Sequence, residues 1–186
     1  NQYDDLNRLI RVGLKFNTFT RQRHQDSCNN NMNYPVILSS EVMQENYYDN
    51  YAWVSGSTPR TINTADITSA FFITTHNVSP YYAQPMIMDT IHVRGKQTGT
   101  RVRILGTGTY LNTVIFYDQS GRLLQQRQAN ISGGFDLYTT QYDFMGKPLR
   151  VMHRQQKGAN RFIRELTKYS YDHAGRVTSL TKKIGT

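Results

Sequence analysis

Through the second half of the chain, short runs of β-branched and aromatic residues alternate with brief polar turns, and helical periodicity is hard to find. Thr113-Val114-Ile115-Phe116-Tyr117 reads as a strand, Asp118-Gln119-Ser120-Gly121 as a turn, and Arg122-Leu123-Leu124 as the start of the return strand. Asp at the first position and Gly at the fourth suit a type I turn. The Asp carboxylate can bond back to the turn's own backbone, and Gly accepts the left-handed conformation of a hairpin turn ending in a bulge. Each such unit predicts one β-hairpin. A lone hairpin is only marginally stable in water, so the units must pair with one another.

The unit recurs. Tyr117-Asp118-x-x-Gly121-Arg122 returns as Tyr142-Asp143-x-x-Gly146-Lys147 and as Tyr171-Asp172-x-x-Gly175-Arg176, with tyrosines 25 and then 29 residues apart. A fourth copy opens the chain, Tyr3-Asp4-Asp5-Leu6-Asn7-Arg8, where Asn7 takes the left-handed position that Asn tolerates best after Gly. A fifth, partial copy is Tyr48-Asp49, which has no Gly-Arg follow-up and runs on to Tyr51 and Trp53. A period of this length implies a stacked, quasi-one-dimensional architecture. Positive φ is expected at Asn7, Gly121, Gly146 and Gly175. Thr113, Ile115 and Tyr117 are expected on one sheet face and Val114 and Phe116 on the other, both apolar and so both covered.

Residues 1–12 form a hairpin arm and residues 100–186 a hairpin array, with 13–99 between them as an irregular insertion containing some strands. Within it, 13–34 is a polar loop with room for one helical turn, running from His24-Gln25-Asp26-Ser27-Cys28 to Asn33. Val36-Ile37-Leu38 and Tyr47 to Val54 are strand material, closed by the turn cluster Ser55-Gly56-Ser57-Thr58-Pro59. Asp66 to Phe72 fits a short helix capped by Asp66, although Phe71-Phe72-Ile73 fits a strand equally well. Pro80 and Pro85 disfavour a central strand. No flexible linker separates these parts, so one structural unit is expected.

The repeated Tyr-Asp-x-x-Gly-(Arg/Lys) pattern resembles the YD repeats of the Rhs family: rearrangement hotspot proteins, the C component of insecticidal toxin complexes, and animal teneurins. The likeness covers 113–124, 138–149, 167–178 and 3–9, and the region around Ser79 to Pro85 and Thr100 to Gly106 looks like the long unit of Bacteroidota Rhs-type proteins. The resemblance implies a mainly β fold, with consecutive antiparallel hairpins forming part of a large curved sheet or shell. It implies a secreted or cell-surface bacterial protein whose wall encloses or presents a toxin or other effector domain. The partners it implies are flanking YD repeats of the same parent protein, an enclosed toxin domain and a secretion or carrier protein. Asn1 at the start and the lack of a leader lead to the expectation of an internal piece of such a protein.

The formal charge of +9 is uneven: residues 1–100 carry eight residues of each sign, and 101–186 carry fourteen basic and five acidic ones. A basic stripe suits an adhesive module that holds acidic glycan or nucleic acid. The more economical reading lays each motif cation across a neighbouring tyrosine. No apolar run approaches the length of a membrane span.

Candidate chemistry is thin. Cys28 is the only cysteine, which excludes an internal disulfide, and His24, Asp26 and Cys28 lack a shaped pocket. Gly106-Thr107-Gly108 lacks the third glycine of a nucleotide loop, because position 111 is Leu, and reads as a hairpin turn. Asp89-Thr90 is followed by Ile91 where an aspartic-protease signature has Gly. The motif aspartates serve turns better than calcium, and His76, His92, His153 and His173 are isolated. The expectation is a protein with no catalytic residue, metal or cofactor. Tyr3, Tyr117, Tyr142 and Tyr171 pack, Asp4, Asp118, Asp143 and Asp172 fix turns, and Arg8, Arg122, Lys147 and Arg176 follow them.

Overall fold

The computed structural model describes residues 1–186 except Met32, Asn33, Ser57, Asn160 and Thr186, so the readings made at Met32, Asn33 and Ser57 fall outside the described residues. The strands are β1 (Gln2–Tyr3), β2 (Leu9–Gly13), β3 (Val42–Tyr48), β4 (Gln97–Arg103), β5 (Tyr110–Tyr117), β6 (Leu123–Ala129), β7 (Phe135–Tyr142), β8 (Pro148–Lys157), β9 (Arg161–Tyr171) and β10 (Val177–Gly185). All ten join one open antiparallel sheet in chain order. Seven of the nine connections are short turns, which leave a strand no neighbour but the one before it, while β2 to β3 and β3 to β4 are joined by long excursions. The turn at Ile104 to Thr109 closes β4 onto β5, as the Gly106-Thr107-Gly108 reading anticipates.

Between β2 and β3 the polar loop holds more helix than one turn. Helix α1 (Arg21–Asn30) starts at Thr20, whose hydroxyl accepts from the Arg23 amide, and buries none of its residues. Its sequence is polar on every side, so local bonds such as Gln22 to Asp26 and Gln25 to Asn29 hold it in place of packing.

The stretch between β3 and β4 leaves the sheet and lies across one of its faces as a strap. Tyr51, Val54 and Val93 of the strap bury Val114 and Phe116 of β5. Further out, Phe72 packs on Met152 of β8 and Leu166 of β9. The Asp66 to Phe72 segment is neither of the two elements anticipated for it. It is a run of turns, with Ile67 bonded to Thr64 and Phe72 to Thr68, because its apolar side chains serve the sheet below.

Polar groups fix the strap alongside the apolar ones. The Gln125 amide accepts from the Asn63 N–H at 2.7 Å and donates to the Asn63 carbonyl at 3.0 Å. Gln141 does the same for Ile73, at 2.9 and 2.7 Å. Both glutamines are buried, and each side chain stands in for a strand by satisfying a peptide's donor and acceptor together. Asp66 is buried between two guanidiniums, Arg154 at 2.9 Å and Arg164 at 2.6 Å. The Phe162 ring lies against both arginines, at 4.4 and 4.2 Å.

Val114 and Phe116 point at the strap while Thr113 and Ile115 alternate away, as expected. Tyr117 departs from that alternation: a register shift after Phe116 turns it so that it also touches the strap cluster. The expected cover on both faces is found on one only. Opposite the strap, Tyr138, Ile163, Leu180 and Ile184 are exposed.

Replacing Asp66 with Asn should cost about 3–5 kcal/mol, because two guanidiniums then lose their buried counter-charge. Urea unfolding of this variant, against Asp5→Asn at an exposed site, is expected to show the difference.

Candidate functional site

The regular feature of this molecule is the row of turns along one end of the sheet. In the turn after β5, the Asp118 carbonyl accepts from the Gly121 amide at 2.8 Å, and the Asp118 amide donates to the Arg122 carbonyl at 2.9 Å. One carboxylate oxygen accepts from the amides of Ser120 and Arg122, and the other from Arg122 Nε at 2.7 Å. Asp4 with Arg8 and Asp172 with Arg176 repeat these contacts. Asp143 with Lys147 keeps the backbone part, at 2.7 Å from the Lys147 amide, and a lysine has no Nε–H fork to complete it. The left-handed residue is at φ 61° in Asn7, 78° in Gly121, 87° in Gly146 and 79° in Gly175.

All of these cations but Arg176 then reach forward to the tyrosine of the next unit. Arg8 lies 4.4 Å over the Tyr48 ring, Arg122 4.8 Å over Tyr142, and Lys147 5.5 Å over Tyr171. Each of those tyrosines donates its hydroxyl to the carbonyl just after that cation: Tyr48 to Leu9, Tyr142 to Leu123, and Tyr171 to Pro148. The unit is therefore read across, not within: a turn holds its own cation, and that cation with the following carbonyl receives the next ring.

Tyr117 has a partner of the same kind, and it exposes what the sequence hides. Lys96 Nζ lies 5.0 Å over Tyr117, and the Tyr117 hydroxyl donates to the Gln97 carbonyl at 2.7 Å. Lys96 belongs to Tyr48-Asp49, because the Asp49 amide donates to the Lys96 carbonyl at 3.0 Å and the Gly95 amide to Asp49 Oδ1 at 2.6 Å. Gly95 stands at φ 81°, like the other turn glycines. The partial copy thus does have its Gly-cation follow-up, with the strap inserted between the halves of one motif. Gly95-Lys96 directly before a strand with no Tyr-Asp of its own was the available signal.

The electrostatics suit packing. Arg8 bonds both oxygens of Asp49, at 3.0 and 2.6 Å, and with the Gly95 amide it holds the Asp49 carboxyl down at about 2. The Arg8 amide lowers Asp4 and the Arg176 amide lowers Asp172. Burial raises the phenols of Tyr117, Tyr142 and Tyr171. These carboxylates are committed to turn amides and guanidiniums, and these phenols to backbone carbonyls.

The ladder is open at both ends. Tyr3 is exposed and has no cation over its ring, and the Arg176 side chain is 79% exposed with no ring beneath it, among the described residues.

The remaining candidates do not converge. Along α1, His24 Nδ1 meets the Tyr34 hydroxyl, Asp26 accepts from Gln22, and Cys28 is exposed. Asp89 accepts the amides of Ile91 and His92, as a turn residue does. Among the described residues no group of three His, Cys, Asp or Glu side chains is placed to hold a metal, and no helix is long and apolar enough to cross a membrane. Compared with family models, with curated proteins and with solved structures, the chain matches none.

Gly146→Val should destabilise by about 1–3 kcal/mol through backbone strain alone, since an added Cβ meets only the Arg122 side chain at ordinary contact distance. Chemical denaturation of the variant measures this directly.

The Asp49 carboxyl titrates lower in the folded chain than its ordinary 3.8, so what it contributes is complete above about pH 4 and is lost as pH falls toward 2. The stability gap between the protein and Asp49→Asn should therefore narrow across that window in denaturation curves taken from about pH 5 to pH 2.

Proposed function

We propose that this chain is a stretch of wall in a Rhs/YD-repeat shell, a secreted or cell-surface bacterial structure that encloses or presents a toxin or other effector domain. The observation that carries this reading is the ladder. A contact made in the same way between successive units extends in one direction for as long as units are added, and here it is made four times, by Arg8, Lys96, Arg122 and Lys147. The fully exposed β10 strand offers the backbone edge that a further repeat would pair with. Flanking YD repeats are the natural partners of both edges. The strap gives the wall one covered face and leaves the other bare for whatever lies against it.

In this role the sixteen motif residues, Gly121, Gly146, Gly175 and Asn7 among them, are structural and none acts on a substrate. Much of the basic excess also belongs to the wall: Arg122 and Lys147 lie over tyrosines, Arg127 lies 4.2 Å over Phe135, and Arg154 and Arg164 hold Asp66. This leaves less of the charge for a polyanion than the sequence total suggests.

Expression of this segment with the flanking sequence of its gene should yield a hollow β-walled particle by electron microscopy, with an inner domain that resists protease until the wall is opened. An open sheet whose every part is cleaved at the same rate would overturn the reading.

A further inference from the structure

The strap follows a rule as it returns along the turns. It donates a backbone N–H to the carbonyl of each motif tyrosine it passes, Gln84 to Tyr142 at 2.9 Å and Asp89 to Tyr117 at 2.8 Å, and at its outset Asn50 donates to the Tyr48 carbonyl two residues before it at 2.8 Å. Among the described residues, no strap amide reaches Tyr171. The strap tip, at Tyr81 and Tyr82, stops beside the cleft between the last two turns, which Pro80, Asp143, Ser170 and Tyr171 help to line.

The sheet face beyond that tip is cationic. Gln141, Arg150, Lys168 and Thr181 are direct cross-strand neighbours on β7 to β10, and Lys183, two residues past Thr181, shares their face. The strap occupies Gln141 through Ile73 and, among the described residues, meets Arg150 only through the phenol of Tyr81, while Arg150 donates to the Leu149 carbonyl at 3.0 Å. Arg150 and Lys168 stand opposite each other, an arrangement that destabilises a sheet. Among the described residues, no carboxylate pairs with Arg150, Lys168 or Lys183. The nearby acids are committed elsewhere, Asp66 to Arg154 and Arg164, and Glu165 to Lys182 on the opposite face. Burial, and then Arg150 and Lys183, lower the Lys168 ammonium, which agrees with an uncompensated cluster.

We propose that this part of the strap face, built on Arg150, Lys168 and Lys183, is a docking site for an acidic polypeptide segment lying extended across β8 to β10, as the strap lies across β5 to β9. Neighbouring strands are about 4.8 Å apart and Lys183 lies about 6.8 Å along β10 from the row, so the three cations span about 12 Å. Same-face side chains of an extended peptide repeat about every 6.8 Å, so two or three carboxylates on alternate residues meet the three cations. Extended polypeptide already lies on the neighbouring part of this face as the strap, whose peptides meet Gln125 and Gln141 and whose Phe72 packs on Met152 and Leu166. A sulfated sugar chain or a nucleic acid offers the charge without the side-chain repeat of an extended polypeptide. The site is on a sheet face, not a sheet edge, and is the same whether or not the chain is part of a shell.

The test is fluorescence anisotropy of a labelled decapeptide of alternating Glu and Thr with the whole chain, beside an alternating Lys and Thr control. A Kd on the order of 10–100 μM at low salt is expected for the acidic peptide, weakening as salt is added. Combined Arg150→Gln, Lys168→Gln and Lys183→Gln should weaken it by about tenfold or more. If that variant fails to fold, Lys168→Gln with Lys183→Gln alone keeps the Arg150 packing and should still weaken binding severalfold. No binding near 1 mM peptide, or equal binding by the folded variants, overturns the site. Tighter binding of a heparin oligosaccharide or of a dT decamer than of the peptide overturns its occupant.

Discussion

The structure depends on one relay: an aspartate that ties down its own turn, a cation held in place by that turn, and the ring of the next tyrosine received beneath it. The aspartate contact is local and repeats wherever the four-residue turn repeats. The ring contact is not local, and it aligns one hairpin on the next. A hairpin register is set by its turn, but nothing in a turn sets how the following hairpin stacks. Here the hydroxyl bond to the carbonyl after the cation does so, once per unit, at 3.1, 2.7, 2.9 and 2.8 Å.

The split copy shows how robust the relay is. A strap from Asp49 to Gly95 interrupts one motif, yet the Asp49 amide still meets the Lys96 carbonyl and Lys96 still covers Tyr117. Lengthening a loop adds closure entropy only logarithmically, and the strap offsets that cost through its own contacts with the sheet. Its hold combines apolar burial over Val114, Phe116, Met152 and Leu166 with two glutamines that treat single peptides as strand partners. The insertion is therefore a second layer for half of the sheet.

Charge is allocated by the same logic. The arginines of the array mostly serve rings and one buried carboxylate, which is why a strongly basic chain has so few free cations on its strap face. The exception is the short row beyond the strap tip, where Arg150 and Lys168 face each other without an acid. Like charges placed opposite cost stability, so such a pair draws attention to what would lie over it.

The sequence by itself determined the hairpins of 113–184 and the left-handed positions Asn7, Gly121, Gly146 and Gly175, because Asp, Gly and their backbone bonds lie within four residues of one another. It also anticipated cations across tyrosines, since a residue repeated with the turn serves the repeated packing. It did not reveal that Asp49 finds its glycine at position 95, nor that Gln125, Gln141 and Asp66 hold the strap. Those partners stand 46, 62, 68 and up to 98 residues apart. No local pattern marks such pairs, because a buried Gln reads like any exposed one until the fold brings a peptide against it. Only the tertiary structure decided which sheet face is covered, since both alternating sets of β5 are apolar enough for either.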